Sequence, residues 1–159
     1  MPREGGLLTC TFPGKGWDCA QAKGKGPEWA AGYFNECVNG FEYQVAGHMI
    51  AERLVQEGLA VTRMVHHRYH AARRNPGNEV ECGDHYTRSM VSCGVLLTAC
   101  GYEHDDPRGH LGFAPRLRPQ NSKCAFTTAE GWGSYNQEVR GVSCICGWSC
   151  VAASCVFRV

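Results

Sequence analysis

Residues 42–70 read EYQVAGHMIAERLVQEGLAVTRMVHHRYH, a run without proline whose apolar side chains fall at Val45, Ala46, Met49, Ile50 and Leu54, then at Val61, Met64 and Val65. Side chains three and four residues apart share one face of a helix. The stretch therefore predicts helix, and with it a mainly α chain. Gly58 interrupts the pattern, so two helices broken at Glu57-Gly58 and one kinked helix are both compatible with it.

Working outward, Asn75-Pro76-Gly77 is turn chemistry that ends this segment. A further helix is expected to begin near Asp84, a good N-cap residue. Its inner stripe would be Tyr86, Met90, Cys93, Leu97 and Cys100, and Gly101 would close it as the C′ residue. Beyond lies more extended chain punctuated by Pro107, Pro115 and Pro119, with short strands expected at Leu111–Phe113 and Cys124–Thr127. On the N-terminal side the chain is glycine-rich, apart from a short strand expected at Leu7–Phe12 and stopped by Pro13. Lys23–Glu28 reads as a loop.

Length and charge narrow the function. The 159 residues amount to one domain or part of a larger one. Sixteen basic against fifteen acidic residues leave a net charge of +1, with no basic excess to hold a phosphate backbone. The eleven cysteines are an odd number and cannot all pair. The start, MPREGG, has no apolar segment of the signal-peptide kind, and no Asn-x-Ser/Thr sequon occurs. A reducing, intracellular setting is the expectation. The uncharged run from Gly141 to Phe157 is rich in Gly and Ser and shorter than the roughly twenty apolar residues that span a bilayer.

Chemistry concentrates in Asn78–Arg88, NEVECGDHYTR. Glu79, Glu81, Cys82, Asp84 and His85 are all legal metal ligands, but Cys82 has no paired cysteine nearby, as a structural zinc site requires. His66, His67 and His70 do not have the spacing of a His-Glu-x-x-His helix, and read as the solvated end of a helix beside Arg73 and Arg74. The C-terminal Cys144, Cys146, Cys150 and Cys155 do not have the spacing of a zinc knuckle or ribbon. No metal is expected at any of these places. A Gly-x-Ser-x-Gly nucleophile elbow is absent too. What remains is a carboxylate- and arginine-rich helix entrance. Such a set suits a neutral polyol, because carboxylates accept from hydroxyls while arginine donates in a fixed fork.

Six phrases, in order, carry a resemblance: GGLLTCTFP (5–13), NECVNGFEYQVAGHMI (35–50), EGLAVTRMVHHRYH (57–70), RNPGNEVECGDHYTRSM (74–90), GHLGFAP (109–115) and AFTTAEGWGSY (125–135). Together they resemble the C-terminal part of the catalytic domain of family 116 glycoside hydrolases, which includes non-lysosomal glucosylceramidases and bacterial β-glucosidases. The resemblance implies part of an (α/α)6 toroid, about three helices with short flanking β segments. It divides the chain into a loop and short-strand segment at 1–32, the catalytic-domain part at 33–137, and an unmatched cysteine-rich tail at 138–159.

It also implies a retaining β-glucosidase, in which two carboxylates about 5 to 5.5 Å apart flank the scissile bond. Both lie upstream of the region matched here, so no catalytic residue is expected in this chain. Glu79 and Arg88 match the residues that hydrogen-bond the glucose hydroxyls. Glu36 matches a glutamate at the mouth of the site, although many relatives carry a Trp two residues later where this chain has Val38. Asp84, His85 and Tyr86 read as scaffold, N-cap and helix packing, with support of the Glu79 and Arg88 side chains as the alternative. The implied partners are a β-glucoside such as glucosylceramide and the remainder of the parent catalytic domain. No cofactor and no nucleic acid are implied. The implied location is cytoplasmic, with peripheral membrane contact open to the full-length protein. A non-catalytic helical module that binds carbohydrate or protein is the alternative.

Overall fold

The computed structural model describes residues 5–9, 36–81 and 85–150. Helix α1 (Asn39–Ala51) and helix α2 (Val55–Arg68) form a hairpin, and helix α3 (Ser92–Cys100) packs on α1. Strands β1 (Tyr102–Asp105) and β2 (His110–Phe113) pair antiparallel. A second antiparallel sheet has the order β3 (Asn121–Thr127), β4 (Trp132–Arg140), β5 (Ser143–Cys150).

The helical core consists of Tyr43, Ala46 and Ile50 from α1, Val61 and Val65 from α2, Tyr69 just beyond it, and Val95 from α3. Ala46, Ile50 and Val65 are fully buried. The hairpin turns at Glu52–Leu54, not at Gly58. Arg53 takes a left-handed backbone (φ 68°), and Leu54 N–H returns to Met49 C=O at 2.8 Å. Gly58 instead lies inside the first turn of α2, where a Cβ would meet Ala46 O at 2.6 Å and Ile50 Cγ1 at 2.7 Å. The glycine lets the two helices approach closely. Asn75 closes the far end of α2, its Nδ2 donating to Arg68 C=O at 2.9 Å while its Oδ1 accepts from His70 N–H.

The helix expected from Asp84 starts eight residues later, at Ser92. Tyr86 is instead paired to Glu79 as an isolated antiparallel bridge, and Arg88 lies in the connecting segment before α3. Asp84 itself falls outside the described residues. The expected inner stripe is also displaced. Met90 is 79% exposed, and Tyr86, Cys93 and Leu97 are exposed; of that stripe Cys100 alone is buried, and Val95, outside it, packs inward. Gly101 does end the helix in a left-handed conformation (φ 57°), and any side chain there would collide with the backbone of Ala114.

The expectation of a mainly α chain, part of an (α/α)6 toroid, is overturned. The described residues hold three α-helices and five strands in two antiparallel sheets, a mixed α and β architecture. Strands do form at Leu111–Phe113 and Cys124–Thr127 as expected, but each belongs to a real sheet. Leu7–Thr9 is not a strand, and the rest of that expected element, like the loop at 23–28, lies outside the described residues.

Alternation explains the larger sheet. Along β3, Ser122, Cys124 and Phe126 point inward and their neighbours outward, the period of a half-buried strand. Phe126, Tyr135, Trp148 and Phe113 form an aromatic cluster, with Phe113 stacked on Tyr135 at 4.5 Å between centroids. That stacking joins the small sheet to the large one. β4 runs without interruption through residue 138. No helix among the described residues is long and apolar enough to cross a membrane.

Candidate polar site at the start of α1

Helix α1 opens on a polar face. Asn39, Glu42 and Tyr43 stand three and four residues apart, share one side of the helix, and are all buried. Below them the same stripe turns apolar with Ala46 and Ile50. Arg68, at the end of α2, approaches Glu42 with both terminal nitrogens: Nη1 donates to Oε1 at 3.1 Å, and Nη2 pairs with Oε2. Nη1 also donates to Gly5 C=O at 2.7 Å, and Leu7 N–H donates to Glu42 Oε1 at 2.8 Å. Burial opposes the charge on Arg68, but hydrogen bonds and the charge of Glu42 more than offset it and raise the guanidinium pKa.

Asn39 links this pair to a second one. Its Oδ1 accepts from Arg68 Nη2 at 3.1 Å, and its Nδ2 donates to Glu79 Oε2 at 2.8 Å. Glu79 is fully buried. Backbone hydrogen bonds in both directions to Tyr86 hold it, at 2.8 and 3.1 Å, and Asn39 N–H ties the adjacent Val80 C=O to the first turn of the helix at 3.0 Å. Ser89 N–H gives Glu79 Oε2 a second donor at 3.2 Å.

The other oxygen, Oε1, lies 2.9 Å from Arg88 Nη1. That Nη1 is aimed at Tyr43 Oη, so Oε1 receives charge but no directed hydrogen bond. The Arg88 side chain is 38% exposed, the one solvent-facing member of the pair. Burial raises the pKa of the Tyr43 phenol; Arg88 pulls it down and Glu79 pushes it up.

Of the three residues expected at the site, the structure joins two. Glu79 and Arg88 converge, through an extended bridge rather than across a helix start. Glu36 contributes its backbone C=O, which accepts from Thr9 N–H at 3.0 Å and Thr9 Oγ1 at 2.9 Å, while its carboxylate Oε2 is buried without a hydrogen bond. Glu81 presses its carboxylate against Gly40, where a Cβ would sit 2.4 Å from Oε1. A separate pocket of about 190 Å³, lined by Ala51, Leu97, Thr98, Tyr102, Glu103 and Arg116, includes none of the expected residues.

Sequence reasoning missed Asn39, Tyr43, Glu42 and Arg68. The available signal was three polar residues at helical spacing on the face that continues as Ala46 and Ile50. Chemically the arrangement is a fixed carboxylate behind a half-exposed guanidinium, which can offer N–H donors to a neutral oxygen ligand. Among the described residues no group of three or more His, Cys, Asp or Glu side chains is placed to hold a metal ion. Compared with known proteins, the chain matches no protein-family model and no curated protein.

Proposed function

We propose that this chain contributes the glucose-holding wall of a retaining β-glucosidase acting on β-glucosides such as glucosylceramide. The reading rests on the six ordered phrases that resemble family 116 and on one structural observation, the Glu79–Arg88 pair at 2.9 Å. Arg88 offers its outer N–H groups to a sugar hydroxyl. Glu79 Oε1, the oxygen without a directed hydrogen bond, is the matching acceptor. The guanidinium covers it, so a hydroxyl reaches that oxygen by displacing part of Arg88. Hydrogen bonds from charged partners that tighten as the oxocarbenium-like transition state forms would lower the barrier.

In this reading the nucleophile and the acid/base belong to the remainder of the parent catalytic domain. The exposed Met90, Val91, Leu96 and Leu97 are the surface which that remainder would cover. The protein would work inside the cell, on the cytoplasmic side and in peripheral contact with membranes. The free thiols at Cys37, Cys93, Cys100, Cys124, Cys144 and Cys146 support a reducing compartment. Cys150 is disulfide-bonded, a feature that expectation did not include.

The test is ligand-observed NMR with glucose and a basic glucose analogue, alongside hydrolysis of an aryl β-glucoside. Binding that disappears in Arg88→Met, with no turnover by the chain alone, is the expected result. Absence of binding in the unmodified chain removes the glucose-wall reading. Turnover at enzyme-like rates removes the assignment of catalysis to other residues.

A further inference from the structure

The C-terminal hairpin carries a feature that the polar site does not use. Cys144 and Cys146 stand two residues apart on β5 and therefore on the same face of the strand. Their sulfurs are 3.4 Å apart, and both thiols are free and exposed. In register they lie opposite Val139 and Gln137 of β4. Cys146 Sγ also lies 3.2 Å from Tyr135 Oη, which donates to Gln137 Oε1 at 2.7 Å. The strand thus holds two sulfurs side by side before any ligand arrives, which reduces the ordering cost of chelation.

We propose that Cys144 and Cys146 form a two-sulfur site for a soft, low-coordinate metal ion, Cu(I). Thiolates select soft ions. A closed zinc site would need four ligands, and among the described residues no cluster of three or more is available. The next sulfur on the same face, Cys150, is already disulfide-bonded. Two thiolates suffice for Cu(I), a closed-shell ion that accepts a digonal or bent pair. With metal–sulfur bonds of about 2.3 Å, two sulfurs on one ion lie roughly 3.8 Å apart at a tetrahedral angle and about 4.6 Å apart when linear. Rotation of one exposed side chain about χ1 covers the difference from 3.4 Å. Binding replaces two S–H protons: Cu⁺ plus two thiols gives a bis-thiolate cuprous centre of net charge −1 and two protons, with no electron transferred.

The test is a Cu(I) titration of the full chain under anaerobic conditions, without added reductant so that the Cys150 disulfide is kept, in competition with bicinchoninate. The unmodified chain and Cys93→Ser, a change at an exposed thiol outside the pair, are expected to retain one more Cu(I) than the Cys144→Ser/Cys146→Ser double variant. Equal stoichiometry and affinity in the double variant would overturn the proposal. Backbone amide shifts in the unmodified chain give an independent readout, since binding here must perturb residues 143–149. Their staying unchanged through the first tight equivalent would overturn it too.

Discussion

Asn39 and Glu79, forty residues apart in sequence, meet through a 2.8 Å hydrogen bond between two fully buried side chains. The same amide accepts from Arg68, so one neutral residue spans two carboxylate–guanidinium pairs. Replacing Asn39 by Ala would leave Glu79 one donor short and remove an acceptor from Arg68. A buried polar group left without its partner costs about 1–3 kcal/mol, so Asn39→Ala is expected to destabilise the fold by about 2–4 kcal/mol in urea titrations. A loss under about 0.5 kcal/mol, the usual scatter of surface substitutions, would show that the amide bridges nothing of consequence.

Two glycines in helices should respond in opposite directions. At Gly58 a Cβ would sit 2.6 Å from a backbone oxygen of α1, so Gly58→Ala must push the hairpin apart and should cost about 1–3 kcal/mol. At Gly94, inside α3, a Cβ would meet nothing within 4 Å. Gly94→Ala should stabilise by up to about 1 kcal/mol through helix propensity and a less flexible unfolded chain. Thermal melts of the two variants compare them directly; the same sign for both would contradict the packing described.

Alkaline pH should expose Tyr43. Its folded pKa is raised, chiefly by burial, above the value of about 10 for a free phenol. The sign follows from linkage: this contribution to stability is complete below about pH 10 and is lost as pH rises through the folded value. Absorbance titration near 295 nm should show a late-ionising fraction that Tyr43→Phe reduces. It should not vanish, because Tyr102 and Tyr135 are also raised, again first by burial. The stability of Tyr43→Phe should fall less steeply above pH 10, and an unchanged slope would count against the buried phenol.

Thiol labelling should divide the cysteines by burial. Cys124 is buried and its thiol is pushed up to about 12 by desolvation and by hydrogen bonding with the buried Cys100. At pH 8 its thiolate fraction is on the order of 10⁻⁴. Iodoacetamide should therefore modify the exposed Cys93 long before Cys100 or Cys124, as peptide mass spectrometry would reveal. Equal rates for Cys93 and Cys124 would mean that β3 does not bury its inner face.

The helix hairpin was legible because its apolar spacing persists over many turns, whereas its corner was not. Gly58 looked like the break, yet the chain turns at Arg53, a residue with no local signature of a left-handed backbone. The stretch from Tyr86 to Met90 has helical spacing but is held out of a helix by pairing between Tyr86 and Glu79, which no local pattern encodes. β5 offered no alternation to read, since it is exposed along nearly its whole length. At the candidate site, composition marks Asn78–Arg88 as a carboxylate- and arginine-rich stretch suited to a polyol, but the choice of Glu79 and Arg88 within it comes from the resemblance. Their convergence depends on a bridge, and the residues that fix it lie on another helix.

The stripe of α1 changes character along its length, from Asn39, Glu42 and Tyr43 to Ala46 and Ile50. Adhesion between oily surfaces tolerates sliding, because one methyl contact replaces another at little cost. Slipping α1 by one turn, about 5.4 Å, would carry Glu42 into the place of Ala46, among Val61 and Val65 and away from Arg68. An unpaired buried carboxylate costs several kcal/mol. The charged end of the helix therefore acts as an index pin: the apolar half supplies the grip, and the polar half admits only one axial position for it.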